Sequence, residues 1–150
     1  LQMKDLFIFI AILSMIFISS CSKDEEEIDS IIGMWEGESI QQGLGVIQLS
    51  VNISSLTEGS IAGNLNSFLN DLSQCDTQVY SCTSFDCATQ WRFLSKSGNT
   101  YKFFEENLAG SECTDGNIQV SLQGTNRLTG TWSLPDDPSI SNQITLSRSI

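Results

Sequence analysis

The sequence predicts an all-β domain of roughly eight antiparallel strands closed into a barrel, and three observations lead to this prediction. Apolar residues alternate with polar ones in several short segments. Gly and Asn, which suit the positive φ of hairpin turns, stand between these segments. The chain has 150 residues, enough for one ordinary domain. Such strands must close or stack to cover their edges and apolar faces, and eight form a barrel wide enough for side chains or one small ligand.

The strand segments follow one another along the second half of the chain and much of the first. Period-two alternation, typical of a half-buried strand, is clearest in residues 47–53, 118–122 and 128–134. Residues 95–99 and 124–126 have the composition of hairpin turns. The other predicted strands are 34–40, 60–65, 89–94, 101–105 and 144–148.

One segment does not follow this pattern. Residues 66–86 form a 21-residue stretch rich in Ser, Asn, Asp, Thr and Gln, which is long for a plain loop. Leu65, Phe68, Leu69 and Leu72 have helical spacing, so we expect a short helix packed on one end of the barrel.

The N-terminus has the pattern of an export signal. Residues 6–18 form a run of 13 residues, apolar except for one Ser. The run is shorter than the roughly 20 residues that span a bilayer and fits the apolar region of a secretory signal. The following Ile18-Ser19-Ser20-Cys21 resembles the lipobox of bacterial lipoproteins. The resemblance implies a cleaved signal peptide over residues 1–20 and a lipid anchor on Cys21, which attaches the protein to a membrane.

An acidic run follows the predicted lipidation site. Residues 22–27 read Ser-Lys-Asp-Glu-Glu-Glu and resemble the acidic tag of surface-exported lipoproteins in one group of Gram-negative bacteria. Such a run is also typical of a solvated tether. We expect a tether over residues 21–30 and the barrel over residues 31–150. The expected location is the outer membrane, with surface display as the first interpretation and a periplasm-facing location as the alternative.

The remaining cysteines predict two disulfides, because an exported chain is exposed to oxidising conditions. Three pairings of Cys75, Cys82, Cys87 and Cys113 are open. We favour Cys75–Cys82, which closes the polar segment, and Cys87–Cys113, which joins the start of one strand to the loop after its hairpin partner. No metal site is expected, since the chain has no His and no Cys-x-x-Cys pair.

Two resemblances bear on the fold. Gly33-Met34-Trp35 before the first strand and Arg148 in the last resemble the calycin pattern, in which an early Trp packs beneath a late basic residue at the closed end of a lipocalin-like barrel. A second similarity covers about residues 33–134 and is to a small extracytoplasmic β-barrel domain that bacteria attach to lipid anchors or membrane kinases. It implies a lipocalin-like fold and supports the Cys87–Cys113 pair, but it implies no catalytic residues. Its motifs are Tyr101-Lys102-Phe103-Phe104-Glu105, Gly110, Cys113-Thr114-Asp115-Gly116, Ile118-Gln119-Val120 and Leu128-Thr129-Gly130-Thr131-Trp132.

Composition excludes several classes of function. The net charge of −11 provides no basic face for nucleic acid, so a charged protein partner would be basic. The absence of His removes the usual general base and the usual partner of a nucleophile. The adjacent or near-adjacent acids are interpreted as solvated surface groups: Glu36 with Glu38, Glu105 with Glu106, and Asp136 with Asp137. We therefore expect no catalytic residues and no cofactor.

Aromatic residues are the candidate ligand contacts. Core packing explains most large aromatic side chains in a small barrel. If the barrel holds a cavity, its candidate walls are Trp35, Trp91, Phe93, Tyr101 and Trp132. The sequence thus predicts a non-enzymatic binding domain for a small apolar ligand or a protein partner. An inhibitor of a lysozyme- or protease-type enzyme is the alternative, and a hydrolase that uses surface carboxylates is the third interpretation.

Overall fold

Eight strands follow one another in the part of the chain that the structure describes. The computed structural model describes residues 31–108 and 113–150. Every predicted strand segment overlaps one of the observed strands, so the predicted all-β class and strand number are confirmed. The strands are β1 (Gly33–Gln41), β2 (Gly45–Ile53), β3 (Ile61–Leu69), β4 (Phe85–Ser97), β5 (Thr100–Asn107), β6 (Gly116–Gln123), β7 (Arg127–Ser133) and β8 (Ser141–Arg148).

The sheet is closed because every strand pairs with two neighbours. Each strand is antiparallel to the next, and β8 pairs with β1 to complete the barrel. In this last ladder Trp35 lies opposite Arg148, and Ile40 lies opposite Gln143. Closure pairs both edges of the sheet and forces alternate side chains into one interior. The predicted closed antiparallel barrel is confirmed.

The connections alternate between the two ends of the barrel because successive strands run in opposite directions. Residues 54–60, 98–99 and 124–126 connect strands at one end, which we call the closed end. The chain enters β1 and leaves β8 at this same end, since these two strands are antiparallel neighbours. The other end, which we call the open end, carries residues 42–44, 70–84 and 134–140 and the connection from β5 to β6.

The closed end is built around Trp35. Its indole is fully buried and donates from Nε1 to the carbonyl oxygen of Ile31 at 2.7 Å. The guanidinium of Arg148 lies over the indole, 4.4 Å from Cζ to the ring centroid. Arg148 also donates to the carbonyl oxygens of Ile32 and Thr125, at 2.8 and 3.2 Å. A cation–π contact and two charged hydrogen bonds therefore join the start of β1, the end of β8 and the turn before β7.

The backbone at Gly33 makes room for this arrangement. Its φ is +137°, in a region that L side chains rarely adopt. A Cβ at this position would also lie 2.8 Å from Nη1 of Arg148. The Gly-x-Trp motif and the late Arg therefore meet at the closed end, as the calycin pattern implies.

The expected helix after Leu65 is wrong. β3 continues to Leu69, and Asn66–Leu69 pair with Phe85–Ala88 of β4. Leu65 and Leu69 are both buried, and they fit period two as well as helical spacing. Pairing with β4 satisfies the backbone hydrogen-bonding groups of this segment, so it forms a strand and not a helix. No helix long and apolar enough to cross a membrane occurs in residues 31–108 or 113–150.

Residues 70–84, which we call the long loop, connect β3 to β4 through local turns. The side chains of Asp71 and Asp76 accept from the backbone N–H groups of Ser73 and Gln78, each at 2.9 Å. The N–H of Asp76 donates to the carbonyl oxygen of Gly43 at 2.7 Å. These bonds give the long loop its turns and attach it to the β1–β2 connection.

Both expected disulfides are present. Cys75–Cys82 closes the long loop over a separation of 7 residues, with Cα atoms 5.9 Å apart. Cys87–Cys113 connects β4 to the β5–β6 connection over 26 residues, with Cα atoms 6.1 Å apart. By chain entropy the longer crosslink stabilises the fold by about 3.5 kcal/mol and the shorter by about 2.4 kcal/mol. Both crosslinks restrain the open end.

Replacing Arg148 tests the closed end. We expect Arg148→Ala to lower the free energy of unfolding by about 1–3 kcal/mol, because it removes the cation–π contact and two hydrogen bonds. Arg127→Ala is the matched control: it removes an exposed Arg near the same end and should change stability by less than about 0.5 kcal/mol. Denaturant unfolding measures both. Equal effects of the two substitutions would contradict the assigned role of Arg148.

Candidate functional site

A cavity of about 720 Å³ lies inside the open half of the barrel. Its position follows from side-chain size. Trp35, Phe93, Tyr101 and Phe103 fill the interior elsewhere, whereas Ser39 on β1 and Ser67 on β3 are inward residues with small side chains that line the cavity. Small side chains at these positions leave space that a uniformly packed barrel does not have.

The wall of the cavity combines aliphatic side chains with polar ones. Aliphatic side chains from four strands line it: Ile47, Leu49, Leu65, Ile118 and Ile144. Polar groups from the strand ends and the long loop line it as well, among them Ser39, Gln41, Ser67, Tyr80 and Asn142. This combination suits a molecule with an apolar body and a few polar atoms.

A hydrogen-bonded chain of side chains runs along part of the mouth. Asn142 donates from Nδ2 to Oε1 of Gln41 at 3.4 Å, and Gln41 donates from Nε2 to the hydroxyl of Tyr80 at 3.5 Å. The ring of Tyr80 lies beside Gly43, where a Cβ would come within 3.1 Å of it. The chain links β8, β1 and the long loop, so it holds Tyr80 over the β1–β2 side of the opening.

Glu105 is the buried acid of the cavity. It lies on β5 with Tyr101 and Phe103, and the alternation of the strand turns all three side chains inward. Its side chain is 6% exposed. Oε1 accepts from the hydroxyl of Thr89 and Oε2 accepts from the indole Nε1 of Trp132, each at 2.6 Å. Each carboxylate oxygen therefore has one short hydrogen bond.

Burial raises the pKa of Glu105, and the nearby negative charge of Asp115 raises it further. The hydrogen bonds from Thr89 and Trp132 act in the opposite direction, because they stabilise the ionised carboxylate. Desolvation is the largest of these effects, so the net direction is upward. A buried acid with a perturbed pKa inside a cavity is a common feature of functional sites.

Trp91 lies in the same buried interior as this acid. It is the register partner of Glu105 in the β4–β5 ladder, and both side chains point inward. Trp91 is fully buried and lines the cavity, yet its indole Nε1 has no hydrogen-bond partner among the described residues. The indole packs on Phe103, with ring centroids 5.1 Å apart, so its N–H is covered by the protein and does not open into the cavity.

Gly116 allows Trp132 to reach the acid. Gly116 lies opposite Glu105 in the β5–β6 ladder, and a Cβ on it would overlap the indole of Trp132. The absence of a side chain lets that indole pack across β6 and donate to Glu105. The surroundings of the Glu105 carboxylate are therefore built by four consecutive strands, β4 to β7.

The five aromatic residues singled out in the sequence divide between two places. Trp91 and Trp132 line the cavity. Trp35, Phe93 and Tyr101 belong to the buried core and are not among the residues that line it. Phe93 packs on Phe103, with ring centroids 5.7 Å apart, while Trp35 closes the opposite end of the barrel.

The acidic residues singled out in the sequence also divide. Glu36 and Glu38 are exposed on the outer face, as are Asp136 and Asp137 in the β7–β8 loop. Glu106 faces outward and pairs with Arg92 through two hydrogen bonds of 2.7 and 2.8 Å. Glu105 is the exception, and the expectation that it is a solvated surface group is wrong. The alternation Tyr101-x-Phe103-x-Glu105 is the sequence signal that places it inside.

The remaining predicted features concern other parts of the chain. Among residues 31–108 and 113–150, no group of three or more Cys, Asp or Glu side chains is placed to hold a metal ion. Cys21 and the predicted signal and tether, residues 1–30, lie outside the described residues. Comparisons with known protein families, curated proteins and solved structures find no match to this chain.

The pH dependence of stability tests the environment of Glu105. Its pKa is raised on folding, so the folded state binds more protons than the unfolded state between the ordinary glutamate pKa and the raised one. The contribution of Glu105 to stability is therefore full below the ordinary pKa and is lost as pH rises through the folded-state value. We expect the free energy of unfolding of Glu105→Gln to fall less across this window than that of the wild type.

Glu106→Gln is the control for this measurement. Arg92 holds the pKa of Glu106 below its ordinary value, so any contribution of Glu106 has the opposite sign and is lost on acidification. The free energy of unfolding of Glu106→Gln should therefore fall with rising pH across this window as that of the wild type does, because Glu105 is unchanged. Parallel curves of stability against pH for the wild type and Glu105→Gln would contradict the assigned environment.

Proposed function

We propose that the barrel is a non-catalytic binding domain that takes one small, largely apolar molecule into the cavity at its open end. The observation that carries the proposal is the cavity itself, a space of about 720 Å³ lined by aliphatic and polar side chains, with the buried carboxylate of Glu105 in its wall. Space of this size inside a barrel forfeits packing contacts, so a ligand that fills it is the simplest reason for its presence.

The size of the cavity supports the same proposal. A volume of about 720 Å³ lies within the range of small-molecule sites in proteins, about 300–1,000 Å³. Strand ends and the long loop contribute to its lining. Two disulfides restrain that region, which reduces the ordering that a ligand must impose.

Binding rather than catalysis is favoured by the state of the acid. Each oxygen of Glu105 already accepts a short hydrogen bond, from Thr89 and from Trp132. These bonds fix the carboxylate as an acceptor and hold it in one orientation. Glu36 and Glu38 lie on the outer face, where they cannot act together with it. We therefore interpret Glu105 as a recognition group.

We further propose that the protein is a lipoprotein, anchored to the outer membrane through Cys21 and displayed at the cell surface. The lipobox-like Ile18-Ser19-Ser20-Cys21 and the acidic residues after it support this location.

Filling the cavity tests ligand binding. Ser67 is inward and lines the cavity, whereas the preceding Asn66 is exposed on the outer face. We expect Ser67→Trp to weaken binding of N-phenyl-1-naphthylamine, a neutral apolar fluorophore, by at least about tenfold, because the new indole occupies the ligand volume. Asn66→Trp is the matched control and should bind like the wild type. No binding by the wild type, or equal binding by both variants, would overturn the proposal.

Cell fractionation tests the location. We expect the wild type in the outer-membrane fraction and Cys21→Ser outside it, because acyl chains provide the membrane affinity. Protease added to intact cells should release or degrade the wild-type barrel, while a periplasmic marker protein stays intact as the control. Complete protection of the barrel would exclude surface display.

A further inference from the structure

Charged side chains are distributed unevenly between the two ends of the barrel. The basic residues in the described part of the chain lie at the closed end or on the outer face: Arg92, Lys96, Lys102, Arg127 and Arg148. Acidic residues collect in the connections and strand ends around the cavity: Asp71 and Asp76 in the long loop, Asp86 on β4, Asp115 before β6, and Asp136 and Asp137 before β8. The open end therefore carries net negative charge.

The lining of the cavity has the same imbalance. It includes the acidic residues Asp86 and Glu105 and, among the described residues, no Lys or Arg. Asp86 is exposed, whereas Glu105 lies in the buried wall. A cleft that is lined by charge of one sign and has apolar walls concentrates small ions of the opposite sign. The electrostatics of this cavity therefore favour a cation.

Glu105 is a buried acid with no counter-ion among the described residues. Its two hydrogen bonds come from the hydroxyl of Thr89 and the indole of Trp132, which are both uncharged donors. Donors on both oxygens favour the ionised form, because a carboxylate is a stronger acceptor than a carboxylic acid. A buried charge opposes folding less when an opposite charge pairs with it. The wall thus lacks a positive charge that a ligand in the cavity can supply.

We propose that the ligand is a small organic cation, an apolar molecule with one amine or quaternary ammonium group, whose positive charge is balanced by the carboxylate of Glu105. This proposal rests on the ligand-binding function proposed above and specifies the chemical class of the ligand. The apolar body lies against the aliphatic wall of the cavity. The two charges need not touch, because their attraction extends over several ångströms in apolar surroundings.

Other classes of ligand fit the cavity less well. An anionic amphiphile would pass the acidic open end and bring a second negative charge near Glu105. A neutral apolar molecule would fill the space and leave Glu105 without a counter-ion. A bare metal ion is also disfavoured, since no group of three or more Cys, Asp or Glu within residues 31–108 and 113–150 is placed to hold one. An organic cation both fills the space and balances the charge.

Three molecules with the same alkyl chain separate these classes: decyltrimethylammonium, decanol and decyl sulfate. Each competes with N-phenyl-1-naphthylamine for the wild-type protein below its micelle-forming concentration. Slightly alkaline pH keeps carboxylates ionised, and low salt keeps the screening of charges weak. We expect decyltrimethylammonium to bind at least about tenfold more tightly than decyl sulfate and about threefold more tightly than decanol, because the head groups differ in charge.

Three substitutions, each of which removes one negative charge, connect this preference to the cavity. Glu105→Gln should reduce the preference for decyltrimethylammonium over decyl sulfate by about tenfold. Asp86→Asn should reduce it by about twofold, because Asp86 is exposed and solvent screens its charge. Glu36→Gln is the matched control: it makes the same chemical change on the outer face of β1 and should leave the preference unchanged.

The outcomes separate this proposal from the broader one. Decanol or decyl sulfate binding as tightly as decyltrimethylammonium would overturn the cation assignment and leave ligand binding intact. The same conclusion follows if the fluorophore binds and none of the three molecules displaces it, or if Glu105→Gln behaves like Glu36→Gln. If the wild type binds neither the fluorophore nor any of the three, the proposed function itself fails.

Cooperative unfolding of each variant verifies that it is folded. If Glu105→Gln does not fold, the order of the three affinities on the wild type and the effect of Asp86→Asn decide the question. Asp86 is exposed, so its substitution leaves the buried wall intact. A preference that is the same in Asp86→Asn and Glu36→Gln would then overturn the proposal.

Discussion

Closure of the sheet between β1 and β8 is the constraint on which the rest of this structure depends. Once the ladder from Trp35–Arg148 to Ile40–Gln143 is formed, every second residue of every strand points into one shared interior. The interior then has to be filled by side chains, by solvent or by a ligand. The protein meets this requirement differently at its two ends.

At the closed end, large side chains and a cation fill and seal the space. Trp35 is fully buried beneath Arg148, and the neighbouring backbone carbonyls accept hydrogen bonds from both. At the open end, small inward residues such as Ser39 and Ser67 leave space between β1 and β3. The same barrel geometry therefore produces a rigid base and a cavity, and side-chain size decides which one forms at each level.

The sequence was sufficient to predict the strands because period-two alternation is a local feature. It was sufficient to predict two disulfides because four cysteines follow Cys21. Period-two alternation locates strands such as β2 without knowledge of their partners. The cavity was less predictable, because it depends on which aromatic residues share a level of the barrel. Trp91 and Trp132 line it and Phe93 does not, although Trp91 and Phe93 are both inward residues of β4 and Trp132 is half-buried on β7. The burial of Glu105 is hard to predict because two adjacent acids, Glu105 and Glu106, resemble solvated surface charge, although the alternation Tyr101-x-Phe103-x-Glu105 indicates an inward side chain.

The two ends of the barrel domain lie at the same position, which has a practical consequence. β1 starts and β8 finishes side by side at the closed end, where Ser149 donates its backbone N–H to the carbonyl oxygen of Met34 at 2.9 Å. A fluorescent label, an affinity handle or a surface linker attached at residue 150 would thus lie on the far side of the barrel from the mouth. The geometry suits the domain to immobilisation as a sensor, with the cavity facing the sample. It also makes a circularly permuted chain feasible, since a short peptide could join the two neighbouring ends.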